Sequence, residues 1–107
     1  MCHCLACQKR SGSIFAVTAR WPAERVTIEG RAHEYVRVGD AGSSATFRFC
    51  PTCAVTVYFD SDAIPGMISV PVGVFADPTF PPPQVFVYGD RRHPWAVMPD
   101  LNATELK

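Results

Sequence analysis

Short alternations of apolar and polar residues, cut by glycine, proline and aspartate, recur along the whole chain. IFAVTARW at residues 14–21 is rich in β-formers and is stopped by Pro22. RVTIEG at 25–30 ends at a glycine, and HEYVRVGDAG at 33–42 alternates up to a Gly-Asp turn. ATFRFC at 45–50 alternates and delivers Cys50 at its end; VTVYFD at 55–60, MISVPVGVF at 67–75 and QVFVYGD at 84–90 complete the set. Runs of this length between turn residues predict strands of an antiparallel sheet or sandwich. No segment carries an apolar period near 3.6 residues, so the predicted class is all-β (mainly β). A helical turn after Cys7 and another near the C-terminus are the only helical elements expected. Phe80-Pro81-Pro82-Pro83 is expected to be a stiff, extended surface connection, because proline has no N–H to give to a ladder.

Composition narrows the picture. The chain has 107 residues, 48% of them hydrophobic and 19% charged, which suits one domain with a single core and lies outside the disordered range. No repeat or linker divides it, so residues 1–107 are read as a single domain. Ten basic residues balance ten acidic ones. The chain as a whole therefore has no electrostatic pull on nucleic acid or an anionic membrane, and neither partner is expected. No apolar run approaches the roughly 20 residues that span a bilayer, and MCHCLACQKR contains no apolar signal region, so the expected location is the cytoplasm.

The five cysteines change the picture most. In a reducing compartment clustered thiols bind metal or do chemistry more often than they form disulfides, and an odd number cannot all pair. Cys50-Pro51-Thr52-Cys53 leaves a strand at a turn, the spacing of a zinc knuckle, where two thiolates converge on one ion about 2.3 Å away. A thioredoxin-type redox pair is the competing reading, but such a motif precedes a helix, and here a strand-like run follows. Cys2-His3-Cys4-Leu5-Ala6-Cys7 is denser. In an extended segment Cys2 and Cys4 share a face, and Cys7 closes the chelate after a tight turn. By the same alternation His3 faces away from the metal as a partly exposed neighbour. Three soft thiolates suit Zn²⁺ better than an Fe–S cluster, and three protein ligands match a catalytic-type site with one open position. His33 and His93 have no ligand-like spacing to anything.

CHCLACQKRSGSIFAV, then FCPTC ahead of a strand, then VGVFADPTFPPP and RHPWAVMPD, resemble the glutathione-dependent formaldehyde-activating enzyme family, which shares its domain with centromere protein V. The resemblance runs from Cys2 to about Asp100. It implies a β-tent fold with two zinc sites: Cys2, Cys4 and Cys7 match the ligands of the family's catalytic zinc, and Cys50 and Cys53 match half of its structural one. It further implies condensation of glutathione with formaldehyde to S-(hydroxymethyl)glutathione, a carbon–sulfur lyase activity. In this family the structural zinc takes its other two ligands from a Cys-x-Cys pair ahead of the triple motif. The expectation is therefore that the native chain extends upstream of Met1, and that a domain lacking those first strands favours a homo-oligomer over its bare sheet edge. Phe86 stands where the family usually has histidine, and Ala54 where it usually has glycine.

Lys9, Arg10, Arg91 and Arg92 are the cations available to receive the carboxylates of a peptide thiol such as glutathione. Trp95 and Phe15 are read as core. Two alternatives to an enzyme stand beside the first reading. One is a non-catalytic zinc module that binds a partner, and the other is a degenerate paralogue that keeps the fold and the metal but no activity.

Overall fold

The structure, a computed structural model, describes residues 1–39 and 41–96 and the backbone of 104–106. It is mainly antiparallel β-sheet with little helix. Asp40, in one predicted turn, and residues 97–100, which close the RHPWAVMPD motif, lie outside the described residues.

Contacts group the chain into two compact units, residues 18–76 and residues 1–17 with 77–107. The first is a five-stranded antiparallel sheet. Its strands are β1 (Thr18–Pro22), β2 (His33–Val38), β3 (Ser44–Phe49), β4 (Thr56–Ser61) and β5 (Met67–Pro71), in the order β1-β5-β4-β3-β2. Alternation in β3 works as predicted: Ala45 and Phe47 are buried and the residues between them less so. Ile68 and Ser69 of β5 are the other buried positions of this sheet. On β3 the partly buried Arg48 pairs with Asp60 at 2.6 Å and Glu34 at 3.4 Å. A register shift between Arg48 and Phe49 bends the end of β3 just before Cys50.

Several of the predicted runs do not become strands over their length, QVFVYGD among them, which is strand only at Val85–Val87. RVTIEG forms none: a 3-10 turn covers Ala23–Arg25 and irregular chain follows. Its β-formers join no ladder, although the sheet ends at β1 and β2. MISVPVGVF divides at Pro71, which ends β5 because it cannot donate, and Val72–Phe75 turns into a 3-10 segment. IFAVTARW yields only an isolated bridge at Ala16 before β1 begins at Thr18.

The second unit contains a helix that the sequence reading placed too late. α1 (Leu5–Ser11) starts before Cys7 rather than after it. Leu, Ala, Gln, Lys and Arg are good helix formers, Cys4 caps the start, and Gly12 ends the helix in the left-handed conformation at φ 69°. Ahead of α1 the first residues are extended, with isolated bridges from Cys2 to Ala16 and Val87. Cys2 exchanges hydrogen bonds with Ala16 at 2.7 and 2.9 Å, and His3 N donates to Val87 O at 3.1 Å. β6 (Val85–Val87) pairs with β7 (Thr104–Leu106) in parallel, where a helical turn was expected near the C-terminus. Pro81 and Pro82 are exposed, as a surface connection should be.

Candidate metal centre

Cys2, Cys4 and Cys7 converge. Their sulfurs all lie within 4.8 Å of one another, and each side chain is partly buried. Two thiolates held about 2.3 Å from one tetrahedral Zn²⁺ stand about 3.8 Å apart, so little closing movement is needed. The chain achieves this at the corner where extended chain enters α1 rather than by an extended run with a tight turn. Cys2 belongs to the extended segment, Cys4 is the residue at the corner, and Cys7 sits one helical turn on. Cys4 Sγ accepts the Cys7 backbone N–H at 3.3 Å, doing for this helix what a serine or aspartate oxygen does elsewhere.

Cys2 and Cys7 also act on each other's protons. The Cys7 thiol donates to Cys2, which lowers the Cys2 pKa and raises that of Cys7, and burial pushes Cys7 further up. A divalent cation would replace such a proton, so this donor set fits a soft metal ion.

His3 is not the partly exposed neighbour expected. Its ring is 0% exposed, edge-on to Phe15 at 5.7 Å and to Phe86 at 6.5 Å, and neither ring nitrogen has a hydrogen-bond partner. Burial, with help from the charges of Arg92 and the amino terminus, lowers its pKa and keeps the ring neutral. Phe86 is thus half of an aromatic enclosure around this imidazole.

Gln8 and His93 carry no metal-ligand spacing, and sequence reasoning passed over both as functional residues. Gln8 Nε2 donates to His3 O at 2.8 Å and Arg91 O at 3.1 Å, so its Oε1 faces His93 Nε2 at 2.9 Å. With the amide nitrogen on two carbonyls, the ring Nε2 must be the donor. One side chain thereby ties α1 to the residue between Cys2 and Cys4 and to the loop at 91–93. A glutamine alone signals none of this; only the fold brings its three partners together. Gln8→Ala is expected to lower the melting temperature by about 4–8 °C, the equivalent of about 1 kcal/mol in a domain of this size, as read by calorimetry. An unchanged melt would show that the tie is idle.

Cys50, partly buried, and Cys53, exposed, sit at the turn after β3 in the sheet unit. Amides of residues 52 and 53 and the Cys53 thiol donate to Cys50 and lower its pKa, with Thr52 N at 3.4 Å. An amide donating to sulfur is expected of the CPTC turn, and the Thr52 N–H does reach Cys50 Sγ. Ala54 follows at φ 64°, a left-handed position that a glycine would take without Cβ strain. Among the described residues no third ligand group joins this pair.

Of the proposed cations, Lys9 and Arg92 are exposed and Arg10 is half-buried, its charge opposing the rise of Cys7. Arg91 lies over the Tyr88 ring at 5.6 Å and reaches Asp90 at 3.9 Å. Trp95 is not core: it is 68% exposed. Its neighbour in the motif, Pro94, keeps the loop from joining a ladder.

A family model described as glutathione-dependent formaldehyde-activating enzyme matches residues 1–91. The chain belongs to that family. The match takes in all five cysteines, Gln8 and Phe86, and stops short of His93 and Trp95. A comparison with curated proteins finds no match. Among the described residues no helix is long and apolar enough to cross a membrane.

Proposed function

We propose that this member is a zinc-dependent carbon–sulfur lyase acting on a thiol–aldehyde adduct, of the S-(hydroxymethyl)glutathione synthase kind. The observation that carries the reading is the convergence of Cys2, Cys4 and Cys7 within 4.8 Å in a chain of this family. Those three would hold a catalytic-type Zn²⁺, and Cys50 with Cys53 would supply two thiols of a structural-type one. When bound, the catalytic-type ion supplies Lewis acidity toward an aldehyde oxygen or an anchor for a thiolate.

The protein's own residues do the rest. Lys9, Arg10 and Arg92 receive the carboxylates of the thiol, which fixes its approach. His3, neutral and enclosed by Phe15 and Phe86, keeps the floor between Cys2 and Cys4 dry and unprotonated. Gln8 holds α1 against that floor. In the forward direction the S–C bond forms as the carbonyl π bond opens, and the thiol proton ends on the hydroxymethyl oxygen. In reverse the S–C bond breaks and the proton returns to sulfur. The fold reading that accompanies this function is the β-tent, supported by the five-stranded antiparallel sheet.

Exchange NMR of a glutathione–formaldehyde mixture tests the proposal, since it follows adduct formation and breakdown at equilibrium. The zinc-loaded protein is expected to speed the exchange at least tenfold above the spontaneous rate. Bound zinc with the spontaneous rate unchanged would favour instead a non-catalytic zinc module or a degenerate paralogue.

A further inference from the structure

The five-stranded sheet ends openly at β2. This strand pairs with β3 in unbroken register from His33↔Phe49 to Val38↔Ser44, and among the described residues nothing pairs with its other side. Natural edge strands are commonly blunted by lysine, proline or a bulge, and HEYVRV has none of these. Tyr35, Val36 and Val38 are 59%, 55% and 65% exposed. The opposite edge, β1, closes on Pro22, which has no N–H to offer.

The turn beyond β2 tells which backbone groups face outward. Gly39 N donates to Ser43 O at 2.8 Å, so residue 39 points its backbone at β3. By alternation Arg37, Tyr35 and His33 do the same. Ser44, opposite Val38, directs its own N–H and carbonyl at Asp62, so Val38 turns its backbone the other way. The N–H and C=O groups open to a new strand are therefore those of Glu34, Val36 and Val38.

We infer that a second copy of this chain supplies that strand, β2 against β2 in antiparallel fashion, about a two-fold axis centred on Val36. Such an axis keeps each face of the joined sheet continuous, which requires a centre on a residue rather than between two. With Val36 facing its own copy and Glu34 facing the partner's Val38, every outward N–H and C=O of these residues is paired. Tyr35 lies beside the partner's Arg37, whose guanidinium covers Phe47 at 5.1 Å, and ring and cation attract. Glu34 keeps its ion pair with Arg48 on its own sheet. A centre on Tyr35 instead leaves Val38 unpaired within β2 and sets His33 against Arg37. A centre on Arg37 sets two guanidinium groups side by side. Sequence and backbone direction thus select one register, independently of the metal and of the reaction proposed above.

A single strand pair is a small interface of the weak, transient class, with an expected dissociation constant of roughly 10 μM. Below that concentration the monomer dominates and Tyr35 stays open. Sedimentation velocity of the full chain, with a thiol reductant so that cysteines do not link copies, is run from tenfold below that value to tenfold above. Over the same range amide hydrogen exchange is expected to slow several-fold at Glu34, Val36 and Val38, and to change little at His33, Tyr35 and Arg37. Val36→Lys sets two ammonium groups across the axis and should weaken association at least tenfold, with circular dichroism checking that the sheet is kept. Tyr35→Lys, facing Arg37, should weaken it similarly, and adding Arg37→Glu should restore it to within about threefold of the original. A chain monomeric throughout, exchange indifferent to concentration, or a dimer indifferent to Val36→Lys overturns the inference. Failure of the Lys–Glu pair to rescue overturns it as well, because the register would then be wrong.

Discussion

Replacing Cys7 with serine is expected to cost at least about a hundredfold in zinc affinity and to abolish catalysed adduct exchange. Structural zinc sites in small peptides are worth about 10–16 kcal/mol with a full ligand set, so losing one thiolate of three removes several kcal/mol. Serine's hydroxyl is a hard, protonated donor and does not replace a soft thiolate. The substitution is also clean. The N–H that Cys4 Sγ accepts belongs to the backbone of residue 7, so the cap of α1 survives it. Competition with a chromogenic chelator gives the affinity, and native mass spectrometry counts the metal. Equal zinc content and affinity in the variant would remove Cys7 from the ligand set and the three-thiol centre with it.

How far this centre was legible depends on which force places each residue. The convergence of Cys2, Cys4 and Cys7 was legible because it is local, completed within six residues. The strands around Phe47 and Phe59 were legible because a half-buried face imposes a period of two. Four things were not. RVTIEG has the composition of a strand but pairs with neither edge strand, β1 or β2, and pairing is a property of the fold. The start of α1 hinged on a cysteine acting as cap, which composition rules assign to serine, threonine or aspartate. The burial of His3 follows from Phe15 and Phe86, which lie far from each other in sequence and meet only around its ring. The linkage from Gln8 to His93 spans 85 residues and has no local signature at all.

The second large effect concerns the sheet. Phe47→Ala is expected to destabilise the protein by about 3 kcal/mol and to lower its melting temperature by more than about 10 °C. Phe47 is 4% exposed at the centre of β3, its ring 4.9 Å from Phe59 and 5.1 Å from the Arg37 guanidinium. Ala45 and Ile68 are the other buried apolar side chains of this unit among the described residues, both smaller than phenylalanine, so little remains to close over the gap. The control lies directly opposite. Tyr35 pairs with Phe47 in register and shares its face of the sheet, but it sits on the edge strand β2 and is mostly exposed. Partners across an antiparallel ladder feel the same twist and the same hydrogen bonds, so burial is the main difference between them. Tyr35→Ala should therefore cost less than about 1 kcal/mol in the same calorimetric or denaturant measurement. Equal losses at the two positions would mean that Tyr35 is covered in the working protein, and that the core of this sheet extends over its β2 edge rather than ending at Phe47.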